Sequence, residues 1–545
     1  MNRADSPVST ASLRDAVETG SALCPVTAPR FFRRALAGFL IAVALPALSS
    51  QTLAQSNEDW AALILEGRSA LETGDPALAL QLFEEAEPAA ETPDDQIVSL
   101  TSLGLAHASL GNLDAAARFH ERSLDLRETQ YPPPSMAVAT GLRNLAQVRH
   151  RQARLAETAT LLNRVLTILN EIAPDTPDVT DVKSDLAAVY VNMARYRDAE
   201  TLYESVLPVV ENGSPAKHVA ALSGLAAIKA ALGQNEAAAA LYLKALDIAR
   251  AKFGDDHPSI SGLMNGLGEV YRASNRPAEA RDLYQTAIDI RAAALGSDHP
   301  ALGPLYNNLG LALLDLGDLD GAGEALENAR VITEGALGPN HPSLATVLAN
   351  QADLDEARGE YLSAIEHNLM AFRNLASSLG TAHPEVQRLQ VNLGRRLSLA
   401  GDYARAEETL NEAEAGIIAD RGGDHIDMIA VHSARGQLER LRGDNVAALE
   451  SYAKALAIVE AADGATTMDA AVLYANQAKV LVTLRREEEA VALLEESLAI
   501  REATFGDDSP ALIETLNDYA FALRRLRRFD EAEAVEARVA SLSEP

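Results

Sequence analysis

Five histidines of this 545-residue chain stand at a fixed interval: His257, His299, His341, His383 and His425 are 42 residues apart at every step. Imidazole ligates metals and titrates near neutral pH, so an even row of it poses a choice between two readings. It is either a metal or proton-transfer array, or the stamp of a repeated structural unit. Metal ligands must converge on one ion at about 2 Å, whereas one histidine per unit is spread along the chain. The column also accepts replacement, by Ser509 in the last unit and Thr467 in the one before. The structural reading is preferred, and neither a metal nor a cofactor is expected.

The surrounding string explains why a histidine would recur. In "LGSDHP", residues 295–300, glycine ends one helix and proline suits the first turn of the next, having no N–H to leave unsatisfied. Asp298 is the expected acceptor for the new helix. Other chemistry is sparse. The chain carries no Gly-rich phosphate loop, H-E-x-x-H or nucleophile elbow outside repeat contexts. Acidic pairs such as Glu84-Glu85 and Glu407-Glu408 fall on expected solvated faces. Asp424-His425 resembles half a triad, but it lies in the repeat loop with no matching serine. No enzyme is expected.

Other columns follow the same interval. Ala280, Ala322, Ala364, Ala406, Ala448, Ala490 and Ala532 form one. Twelve residues earlier lie Gly268, Gly310, Ala352, Gly394, Gly436, Ala478 and Ala520. Small residues in two fixed columns let helix backbones approach closely. Turns at Gly74, Gly111, Ala153, Ala194, Gly233, Asn275, Gly317, Gly359, Gly401, Gly443, Arg485 and Arg527 mark twelve units from about residue 57 to the C-terminus. Within a unit the period is helical: Leu302, Leu305, Leu309, Leu313 and Leu316 share one face. Asp318 or Asp320 can cap the second helix, where Ala322, Ala325, Leu326 and Ala329 share another. Such a hairpin is too small to bury its own apolar surface, so stacked neighbours must complete the core. The reading is all-α: a solenoid with irregular units over residues 57–250 and regular ones over 251–545.

Composition agrees. Hydrophobic residues make up 48%, aromatics only 4%, which favours closely packed Ala/Leu helices. A net charge of −31 argues against a phosphate-backbone binder and favours basic partners weakly. Nucleic acid is therefore not an expected partner.

Residues 1–54 read as an address. Arg30, Arg33 and Arg34 precede the apolar run Ala35–Leu48, and Thr52-Leu53-Ala54 fits small-x-small cleavage. The run is shorter than the ~20 residues of a spanning helix. Cleavage after Ala54 would remove Cys24, the only cysteine, and place the chain in the periplasm or outside the cell. It would be cytoplasmic if the signal is not used.

The columns Leu267-Gly268-x-x-Tyr271, Ala280, Tyr284 and Ala287 resemble the tetratricopeptide repeat. The 42-residue length and the string "YNNLGLALLDLGDLDGAGEALENARVITEGALGPNHP" look like its kinesin-light-chain type. That resemblance implies a right-handed superhelix with a concave peptide-binding groove, without implying a motor partner. It also implies a polar ladder on the first helix of each unit, here Asn308, Asn350, Asn392 and Asn476. Asn265, Asn307, Arg272, Arg395 and Arg440 are nearby groove candidates. Asparagine amides can donate to and accept from a peptide backbone, and arginine can pair with acidic side chains. The ladder is equally a candidate for bonding neighbouring helices to each other. It breaks at Gly266, Ala434 and Asp518, and a single binding stretch would lie around residues 300–400.

The leading expectation is a non-enzymatic, exported scaffold for protein or peptide partners. The alternatives are a regulatory subunit of a hydrolase or peptidase system, catalysis residing on another chain, and a self-assembling structural protein. The charged last helix, in "RRFDEAEAVEARVASLSEP", reads as a polar cap that favours a monomer.

Overall fold

The computed structural model of the chain describes residues 55–543 apart from 175, 212 and 463. The expected signal segment, with Cys24 and the cleavage point after Ala54, lies outside the described residues. Among the described residues there are twenty-four α-helices and no strand. They pair into twelve hairpins, each a helix A and a helix B. Hairpin 1 is Gln55–Glu72 with Pro76–Ala86; hairpin 12 is Ile513–Arg525 with Phe529–Ser543. The chain divides at Val270/Tyr271, within the A helix of hairpin 6 (Pro258–Ala273), into two compact units. Each is an α-solenoid, a stack of hairpins. The change to regular repeats expected at residue 250 falls in the preceding helix, Asn235–Phe253.

The turn inside every hairpin is left-handed. All twelve turn positions named from the sequence have φ between 56° and 88°. Seven are glycine, but Ala153, Ala194, Asn275, Arg485 and Arg527 hold the same conformation with a side chain. That conformation costs an L-residue roughly 1–2 kcal/mol, so packing on both sides must impose it.

The joints between regular hairpins are built differently. Gly254, Gly296, Gly338, Gly380, Gly422 and Gly506 have φ of 80–93° with ψ of 155–165°. That region is open essentially to glycine alone. Three residues on, the histidine side chain caps the next helix. Nδ1 accepts the backbone N–H two residues ahead at 3.2 Å in His257, His299, His341, His383 and His425 alike. Ser509 accepts from Ala511 N–H at 3.3 Å, and Thr467 from Ala470 N–H at 3.3 Å. The capping role expected of Asp298 thus belongs to His299, because the position three residues after the joint glycine faces the helix's first free N–H, whether proline follows it or, as at His425, isoleucine does. Asp318 does cap its helix, accepting from Gly321 N–H at 3.0 Å.

The core is assembled from the small columns. The alanines from Ala280 to Ala532 at 42-residue steps are all fully buried. Across from them, column glycines lie under the side chain sixteen residues later: Gly310 under Leu326, Gly394 under Leu410, Gly436 under Tyr452, Gly104 under His120. A methyl group at Gly310 would sit 2.7 Å from Leu326 Cγ. Overpacking of that kind costs ~1–3 kcal/mol.

Within the stacks, several A helices of adjacent hairpins touch, as Pro384–Leu399 touches Met428–Arg442, whereas adjacent B helices make at most marginal contact. The A helices therefore lie on the inner, more closely spaced side. The polar outer face expected of hairpin 12 is interrupted by Phe521 and Phe529, 57% and 50% exposed.

Candidate functional site

The inner side of the second unit presents one A helix per hairpin, and its polar side chains mostly find partners in the next hairpin. Asn350 Nδ2 donates to Asn307 Oδ1 at 2.7 Å, 43 residues away, and Asn307 in turn leans on Asn308 at 3.4 Å. Asn307 is itself buried. This part of the ladder joins helices to each other. Asn392 and Asn476 are half-buried and make no side-chain hydrogen bond among the described residues. In the first unit Asn265 donates to Glu269 one turn on, at 2.8 Å.

The candidate arginines meet acids of this chain. Arg272 pairs with Asp315 at 3.1 Å. Arg395 grips Glu356 with both terminal nitrogens, one of them at 2.7 Å. Arg440 lies near Tyr452, whose hydroxyl pKa burial pushes up to about 12 while the Arg440 charge pulls it back. Beside Arg395 lies Arg396, fully buried and bound by Asp353, Glu356 and Asn368. Burial lowers the Arg396 pKa and raises that of Asp353, outweighing their mutual attraction. Removing one member of such a buried set costs on the order of 3–5 kcal/mol, because the remaining charge loses its partner.

In the first unit the ladder position is held by Asp185. Its tip reaches solvent, yet desolvation raises its pKa to about 6 against the pull of Arg143. Below it, burial pushes the Tyr203 hydroxyl up to about 12.

A feature missed from the sequence lies one helical turn N-terminal to the ladder. A cavity of about 420 Å³ opens between the first turns of three successive A helices, Pro384–Leu399, Met428–Arg442 and Met468–Thr483. Val391, Ile426, Ile429 and Val472 wall it, and Arg388 stands at its edge. The signal was present in the columns: Arg388, Ala430 and Val472 recur 42 residues apart, four before the ladder. Ile426 stands where proline follows the other four capping histidines. Among the described residues no group of three or more His, Cys, Asp or Glu side chains is placed to hold a metal ion, and no helix is long and apolar enough to cross a membrane.

Comparison with known proteins settles the family. One tetratricopeptide repeat family model matches residues 137–212, 218–293, 301–377, 385–461 and 468–544; two others match 97–129 and 32–95. The chain belongs to the tetratricopeptide repeat family. Tetratricopeptide repeats form protein–protein interaction scaffolds, and the matches indicate no catalytic family. Among solved structures, kinesin light chain nearly identical TPR-like repeats from Podosopora anserina are 20% identical, over 37% of this chain and 98% of theirs, with a TM-score of 0.35. The apo form of RapI is 13% identical over 67% of this chain and 99% of its own, TM-score 0.49. Yeast Tom70 is 15% identical over 90% and 93%, TM-score 0.40. No curated protein matches.

Proposed function

We propose that this tetratricopeptide repeat chain is an exported scaffold that holds protein segments against the A-helix side of its regular repeats. One observation carries the reading. On a side where Asn307, Asn350, Arg272 and Arg395 are engaged with the chain itself, Asn392, the residue after the cavity-lining Val391, keeps its amide without a side-chain partner among the described residues. An amide so placed can both donate to and accept from an extended backbone. Export is supported by the basic, apolar and small-residue succession of residues 30–54.

The test compares the residue 55–545 chain with its Asn392→Ala/Asn476→Ala variant in a crosslinking pull-down from cell-envelope extract. Neither substitution breaks an internal side-chain bond, so both proteins should show the same circular dichroism. A partner held by the parent and lost by the folded variant is expected. A partner kept equally by both would move binding off this side. Intact mass of the secreted protein should correspond to a chain starting at Gln55; retention of residues 1–54 would overturn export by cleavage.

A further inference from the structure

The cavity between hairpins 9, 10 and 11 has a chemistry of its own. Its walls are aliphatic: Val391 from hairpin 9, Ile426 and Ile429 from hairpin 10, Val472 from hairpin 11. Ile426 and Val472 are 46% and 41% exposed, so this apolar surface is open at its mouth. In the floor lies Gln387, only 2% exposed, whose side-chain oxygen is buried without a hydrogen-bond partner. The rim is acidic, with Glu385, Asp427 and Asp469 against the single cation Arg388. Asp427 is held by Arg421 and approached by His425 at 3.4 Å. Glu385 and Asp469 have no ion-pair partner among the described residues.

Apolar walls and unneutralised carboxylates at the rim fit one kind of side chain. It has a long aliphatic stem and a cationic, hydrogen-donating head, as lysine and arginine do. We infer that this cavity is the docking site for a partner segment that inserts a basic side chain flanked by aliphatic residues. The inference rests on the proposed binding of segments to the A-helix side and names the chemistry recognised there. The chain's net charge of −31 favours the same encounter over long range.

The test uses the residue 55–545 chain on an immobilised positional-scanning library of decapeptides. The parent is run beside an Asp469→Asn/Val472→Lys variant and the Asn392→Ala/Asn476→Ala variant, all checked by circular dichroism. Both cavity substitutions are at exposed positions, so folding should be unaffected. Enrichment of peptides with Lys or Arg next to Leu, Ile or Val is expected. The cavity variant should weaken it about tenfold or more, a change of ~1.4 kcal/mol. Basic enrichment that survives the cavity variant but falls with the asparagine variant would overturn the cavity assignment and leave the broader reading standing. Enrichment of acidic peptides would do the same. No enrichment, or enrichment indifferent to both variants, would overturn both.

Discussion

The joints between hairpins are made in two ways. From Gly254 onward each regular joint is glycine, two residues, then a capping side chain, and the backbone angles repeat within about ten degrees. In the first four joints no such glycine appears. Hairpin 2 starts on a reciprocal Thr92/Asp95 capping box, while hairpins 3, 4 and 5 start at Ser135, Thr176 and Ser214 without a side-chain cap. Unit length varies with them. A joint that only glycine can make, followed by a fixed cap, specifies one angle and one length. Joints without these devices let packing choose. Regularity in the second half is therefore a property of seven short strings rather than of the helices.

This contrast can be broken at the caps. Alanine offers no acceptor to a helix's first free N–H, so replacing His299, His341, His383 and His425 by alanine, at ~0.5–1 kcal/mol per cap, should cost about 2–4 kcal/mol, read as a lower urea midpoint by circular dichroism. Trp60, buried in hairpin 1 and bonded to Ser99 at 2.9 Å, reports the first unit separately and should unfold unchanged. If both probes shift together, the two halves do not differ in this way. Acid acts on the first unit through His120, 2% exposed, whose pKa is lowered to about 4 by burial and then by Arg127. Its contribution is present above pH 6.5 and lost towards pH 4, on the order of 3 kcal/mol, and the acid transition of Trp60 fluorescence should record it.

Next in size is the joint glycine. Gly380→Ala, at φ 80° and ψ 159°, should cost about 2–3 kcal/mol, read as a lower urea midpoint by circular dichroism with Trp60 unfolding unchanged. A change under half a kcal/mol would mean the joint relaxes and does not set the angle. The hairpin turns should respond oppositely. Ala153→Gly and Arg485→Gly, at φ 59° and 64°, should each stabilise by about 1 kcal/mol, in the first and second unit respectively. Destabilisation would show that the side chain, and not the backbone, holds the turn. The smallest effect belongs to Asp185→Asn. A carboxyl whose folded pKa is raised to about 6 disfavours folding as pH rises through that value, so the variant should be slightly more stable than the parent at pH 7.5 and equal to it below pH 4. A parent advantage at pH 7.5 would assign Asp185 a favourable ion pair instead.

Twelve hairpins, their left-handed turns and the small columns were determined by the sequence alone, because each rests on short-range rules: a helical period, a positive φ, a proline at a first turn. Capping was half legible. The string 295–300 marks a helix start, but whether Asp298 or His299 accepts the free N–H depends on the direction in which the chain leaves the glycine joint. What only the tertiary structure decided is the partner of each polar side chain on the inner side. Arg272 reaches forward 43 residues to Asp315, while Arg395 reaches back 39 to Glu356. Asn350 and Asn307 join across hairpins although they occupy neighbouring columns. These pairings follow from the offset at which one hairpin stacks on the next. A repeat period counts residues along the chain and is blind to that offset, and the unmet oxygen of Gln387 was hidden from it for the same reason.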